Sequence, residues 1–161
     1  MKKQNNAGFS LVELIVTILI MSILTAGVVV SVIAMHRADA EKEATKIANV
    51  LEKARMQVLS RSETTYVRLY ADADGKYIAL VQGGVATVTK LDDKATVSYK
   101  TDDGVETTLT GSAEVEIHFS KSSGAFQKNG YLVEYIKVTA DKDLYVCLVA
   151  DTGRCYIDTT Y

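Results

Sequence analysis

One carboxylate, Glu13, lies within an apolar run that begins at Phe9 and carries no other charge as far as Met35. An acid at the centre of a membrane helix costs roughly 2.5–3.5 kcal/mol, so the chemistry open to Glu13 there is pairing with a cation. The plainer reading is that Glu13, near the start of the run, reaches water. Two thiols form the second candidate group: Cys147 and Cys155 flank Ala150-Asp151-Thr152-Gly153-Arg154, a hairpin-turn signal. Outside a membrane a disulfide between them is chemically permitted. An odd-length loop centred on Asp151 would set them opposite each other, and a three-residue loop ending at Gly153 would set them diagonally, with poorer geometry. The alternative is two small apolar residues filling a sheet. Without a neighbouring His they complete no zinc set.

The remaining reactive side chains point away from catalysis. His36 sits where the apolar run meets polar sequence, and His118 lies in an alternating strand pattern, so both read as structural. Asp72-Ala73-Asp74-Gly75 resembles the start of a calcium loop, but its twelfth position is Gly83 where an EF-hand needs Glu. Asp and Gly in a tight turn suffice to explain it. No phosphate loop, nucleophile elbow or paired-His zinc motif occurs. The expectation is a chain with no catalytic residue, no metal and no cofactor.

The elements that would position these residues follow from periodicity. One helix is expected from Ser10 to about Arg61, apolar all round in its first half and amphipathic in its second. In that second half Ala40, Ala44, Ile47, Leu51, Ala54 and Val58 recur at spacings of four and three, with Lys42, Glu43, Lys46, Glu52, Lys53 and Gln57 mostly between them. Gly27 interrupts the apolar half, where glycine costs about 1 kcal/mol relative to alanine or allows close helix packing. After Ser62 the period becomes two. Up to nine short strands are expected, at 64–71, 76–82, 85–90, 95–101, 105–110, 113–120, 131–139, 144–150 and 154–158, with hairpins at Asp72-Ala73-Asp74-Gly75 and Asp102-Asp103-Gly104. The fold class expected is α+β, with the helix packed on a C-terminal antiparallel β-sheet domain.

The 161 residues suit one domain's core. Net charge is −2, or −4 once Lys2 and Lys3 are lost with a leader, which argues against a general nucleic-acid surface. All nine tyrosines lie from Tyr66 onward, and the chain has no proline, so its turns rest on Gly, Asp, Asn and Ser.

The junction of Lys2, Lys3, Gly8, Phe9 and Glu13 with an uninterrupted apolar helix resembles the class III signal of type IV prepilins and pseudopilins. The resemblance implies cleavage after Gly8 by a prepilin peptidase and N-methylation of Phe9. It also implies an assembly salt bridge in which Glu13 meets the Phe9 amine of a neighbouring subunit. That pairing is physically sound: an α-amino group titrates at about 7.7–8.0, and lipid penalises each charge separately. The chain then divides into a leader (1–8), a transmembrane and filament-core helix (9–35), its amphipathic continuation (36–61) and an extracytoplasmic β-rich domain (62–161). The implied location is the inner membrane, as a single-pass protein, and afterwards a pilus or pseudopilus. Implied partners are other pilin or pseudopilin subunits, the prepilin peptidase, and the membrane with its assembly platform. Many pilins carry a proline near the middle of this helix, where this chain has Val30.

The tail is similar to the H-type minor pseudopilins and related minor pilins through Leu51-Glu52-Lys53-Ala54-Arg55, Ile117-His118-Phe119, Gly124 and Gly153-Arg154. That similarity implies a minor subunit of a type IV pilus or type II secretion-type filament. Two other readings stay open. A DNA-uptake subunit would use Arg154, although Cys155, Tyr156 and Asp158 supply no second base there. An anchored binding module would present Tyr66, Tyr70, Tyr77 and Tyr135. For the N-terminus, the rivals are an ordinary secretory signal cut after Ala38-Asp39-Ala40, and an uncleaved signal anchor held by Lys2 and Lys3.

Overall fold

Freedom from proline and a wealth of Leu, Ala, Glu and Lys let a single helix, α1, run from Leu11 to Ser60. Glu13 in its first turn complements the positive end of the helix dipole. The computed structural model describes residues 10–60, 63–140 and 142–161, and for 26–38 the backbone alone. Gly8, Phe9 and the expected helix end at Arg61 lie outside the described residues, as do the side chains of Val30 and His36. The chain separates into two compact units, Met1–Met35 and His36–Tyr161.

In the first unit every described side chain from Ser10 to Thr25 is exposed. Its hydroxyls turn back on their own helix: Thr17 Oγ1 donates to Leu14 O (2.9 Å), Ser22 Oγ to Ile18 O (2.6 Å) and Thr25 Oγ1 to Met21 O (2.8 Å). Each of these three hydroxyls is thereby satisfied inside the helix, leaving a largely apolar surface. Among the described residues no helix is long and apolar enough to cross a membrane. The expected span at 9–35 extends beyond the residues whose side chains are described.

The second unit contains ten strands among the described residues: β1 (Thr65–Asp72), β2 (Gly75–Gln82), β3 (Val85–Lys90), β4 (Thr96–Thr101), β5 (Glu106–Thr108), β6 (Glu114–Phe119), β7 (Phe126–Gln127), β8 (Val133–Thr139), β9 (Asp143–Val149) and β10 (Arg154–Asp158). They form two five-stranded antiparallel sheets ordered β3-β2-β1-β6-β7 and β10-β9-β8-β4-β5. β7 exceeds the nine strands expected. It is two residues long, paired through His118↔Gln127 and Phe119↔Phe126, too short to generate an alternation. In β1 the odd positions Val67, Leu69 and Ala71 are buried while Tyr66, Arg68 and Tyr70 face outward.

One buried cluster joins the inward faces of both sheets to the helical stripe Ala40, Ala44, Ile47, Leu51, Ala54 and Val58. The stripe spacing of four and three is the one that keeps side chains on one helical face. Glu43 departs from the amphipathic expectation. It is 1 % exposed, its Oε1 accepting from Lys46 Nζ at 2.6 Å and its Oε2 from the Asp92 backbone N–H at 3.2 Å. The carboxylate thus ties α1 to the β3–β4 connection, a contact separated by 49 positions along the chain.

Candidate functional site

The first turns of α1 hold Glu13 exposed on a surface of Leu11, Val12, Leu14, Ile15, Val16, Ile18, Leu19 and Ile20, all of them exposed. Leu14 N–H donates to Ser10 O at 3.1 Å, so regular helical bonding has begun at this point. With the three hydroxyls bonded back, Glu13 is the sole charge presented by residues 10–25. An apolar surface extending all round a helix is suited to lipid or to other helices rather than to water. The lone carboxylate on it is where the expected pairing with a cation would fall. Gly8 and Phe9, the expected source of that cation, lie outside the described residues.

The two cysteines are not brought together. Both are free thiols. The pairings Arg154↔Val149, Cys155↔Leu148 and Tyr156↔Cys147 leave a four-residue turn, Ala150 to Gly153. Neither of the loop lengths considered from the sequence is adopted. Because neighbouring strand positions face opposite ways, this register puts Cys147 and Cys155 on opposite faces of the sheet. Cys155 points to the core, its thiol donating to Ala48 O at 3.6 Å, and burial pushes its pKa up to about 11. Cys147 lies on the outer face, where burial again raises its pKa. The disulfide permitted by sequence is therefore replaced by two protonated thiols.

His118 serves packing. Its ring stacks on Tyr66 with centroids 5.0 Å apart, and Nε2 lies 3.0 Å from Glu116 Oε2 and 3.1 Å from Asn129 Nδ2. In Asp72-Ala73-Asp74-Gly75 the Asp72 carboxylate accepts from the Asp74 N–H at 2.8 Å, a turn-closing role. Among the described residues no cluster of three His, Cys, Asp or Glu side chains is placed to hold a metal. Arg154 is exposed at the start of β10.

Of the tyrosines singled out from sequence, Tyr66, Tyr70 and Tyr77 are half-buried on the outer face of the first sheet. Tyr70 stacks on Tyr77 at 5.3 Å with the Arg68 guanidinium 5.0 Å from the Tyr70 ring. Tyr135 is buried, beneath a group that sequence reasoning missed. Tyr145 meets it edge-on at 5.2 Å, Tyr161 lies 4.4 Å away, and Lys100 and Lys137 approach the rings. Both lysines are neutralised, Lys100 by Glu134 at 3.1 Å and Lys137 by Asp143 at 2.9 Å, and these carboxylates raise the lysine pKa values. The cluster assembles across three strands, β4, β8 and β9, with Tyr161 from the segment after β10, an arrangement that alternation cannot supply. The only sequence signal for it was the recurrence of Tyr and Lys at outward positions of β8 and β9.

Residues 3–29 match the model of the prokaryotic N-terminal methylation motif. Neither a curated protein nor a solved structure matches the chain. The match covers Glu13 and the exposed apolar turns around it, and none of the β-rich unit. It supports a signal of the type IV prepilin kind, with assembly alongside other pilin-like subunits and processing by a prepilin peptidase as its consequence.

Proposed function

We propose that the chain is a non-enzymatic structural subunit of a type IV pilus or type II secretion-type filament, acting as a minor subunit. Prepilin peptidase cuts after Gly8, and the new amine at Phe9 is methylated. Residues 9–35 hold the processed chain in the inner membrane with residues 62–161 outside, until the assembly platform draws it into a filament of packed N-terminal helices. Glu13 pairs with the Phe9 amine of a neighbouring subunit and so sets the axial register. Repetition of one non-closing contact then gives a fibre. The minor role rests on the tail residues Gly124 and Gly153-Arg154 and their similarity to H-type subunits.

The observation that carries the reading is the helix surface at residues 10–25, apolar on all sides with Glu13 its one charge, inside the matched methylation motif. N-terminal analysis of the mature protein tests it. Methylated Phe9 is the expected terminus, whereas Glu41 would mean ordinary secretion and an intact leader a signal anchor. Glu13→Ala should abolish filament incorporation while leaving membrane insertion intact. Normal incorporation of that variant would overturn the register role.

A further inference from the structure

We infer that β3 is a self-pairing edge, adding antiparallel to β3 of a second copy and joining two five-stranded sheets into one. This interface lies wholly in the β-rich unit and does not depend on the filament reading.

The four sheet edges are unequally protected. β7 has two residues, and the Phe126 N–H is engaged by Ala150 O at 2.9 Å. β5 has three residues. β10 begins and ends on charge, Arg154 and Asp158, and turns Cys155 onto the helix. Short strands and edge charges are the usual devices that block unwanted pairing. β3 is the longest and least guarded of the four: six residues with no bulge and no proline, its one charge at the last residue, Lys90, and Val85 72 % and Val88 49 % exposed.

The register identifies which groups the edge offers. Gln82↔Val85 closes a two-residue turn at Gly83-Gly84, and such a turn closes on a hydrogen-bonded pair. Bonding then alternates, so Val85, Thr87 and Thr89 bond to β2 while Ala86, Val88 and Lys90 direct their N–H and C=O groups outward. The Leu91 N–H to Lys76 O bond at 2.9 Å continues the same alternation. A two-fold axis through Val88 sets Val88 against Val88 and Ala86 against Lys90, so that three residues from each chain satisfy each other's backbone groups.

The two-fold register, which gives all three outward residues a partner, makes a like strand the occupant, and charge is compatible with it. The Lys90 ammonium already contacts Asp93 at 3.3 Å and Asp74 O at 2.7 Å, and across the axis it faces Ala86 rather than another lysine. Within Val85–Thr89 an uncharged strand meets an uncharged strand. No like-charge contact opposes the pairing, and the two copies of Val88 gain cover from each other.

The full chain in detergent micelles tests the interface. In the paired state the two Val88 Cα atoms lie about 5.5 Å apart, within disulfide range. Val88→Cys should therefore cross-link to a covalent dimer on mild oxidation, while Val105→Cys, exposed elsewhere, should not. Val88→Lys places two ammonium groups at the axis and should weaken self-association about tenfold or more in sedimentation equilibrium, with unchanged circular dichroism. Equal cross-linking of the two cysteine variants, unchanged association of Val88→Lys, or cross-linking only to a different protein in cells would each overturn self-pairing. Repeating the measurement on Glu13→Ala separates the two interfaces. Cross-linking at Val88 should persist there even if the N-terminal analysis contradicts the filament reading.

Discussion

A Cβ placed on Gly153 would lie 1.7 Å from the Gly124 carbonyl oxygen, and the backbone there has φ +64°. The two glycines let the β9–β10 turn press onto the loop after β6, with Arg55 and Leu59 of α1 against Gly124. Gly153→Ala should lower stability by about 1–2 kcal/mol for its backbone conformation and about 1–3 kcal/mol more for overpacking. Gly111→Ala, at similar φ but facing open space, should cost only the first part, as chemical denaturation of both variants would show. From the sequence these glycines were legible as separate turn residues. Their contact was not, because it depends on how the two sheets meet. Glu43 was misread for a related reason: with Lys46 three positions on, it resembles a solvated ion pair, yet the chain from Asp92 closes over it. Glu43→Ala leaves the Asp92 N–H without its partner and should cost about 1–3 kcal/mol in the same assay. Cys155, protonated at neutral pH, should resist alkylation until the chain unfolds, with mass spectrometry of the labelled protein as the readout.

At the scale of elements, the helical stripe and most strands were readable because each has one wet and one dry face. Ile47 is fully buried at the centre of the stripe, so Ile47→Ala should destabilise the β-rich unit by about 2–5 kcal/mol, measured by thermal or denaturant unfolding. Hairpins β1–β2 and β4–β5 were marked by Asp-Ala-Asp-Gly and Asp-Asp-Gly. The pairings β1–β6 and β4–β8 carry no local mark, since strands distant in sequence choose each other through the shared core. The same gap explains the cysteines. Their separation was legible, whereas their opposite faces follow from a turn of even length. At the candidate site, Glu13 and its apolar surroundings were legible outright, because there composition itself is the signal.

At the scale of the whole molecule, the division at Met35/His36 predicts that a fragment beginning at His36 folds by itself, with a cooperative thermal transition. Its acid limb is set by carboxylates held below their usual pKa. Hydrogen bonds from Lys128 and the Leu132 N–H do this for Asp102, those from Thr101 and the Val105 N–H for Asp103, and those from Lys137 and Thr139 for Asp143. A carboxylate depressed in the folded state contributes stability above its unfolded value of about 3.9, and that stability is lost as pH falls toward the folded value. Stability should thus be level through neutral pH and decline below about pH 4. Asp102→Asn together with Asp143→Asn should flatten that decline in a titration followed by circular dichroism. The bond from Cys155 to Ala48 spans 107 positions. The helical stripe is synthesised early, but one of its covering strands arrives last, so much of the core must wait for β10. Contacts this remote slow folding, and the growing chain passes through an interval in which Ile47 and Leu51 lack their full cover. During that interval a holding factor would have its clearest substrate.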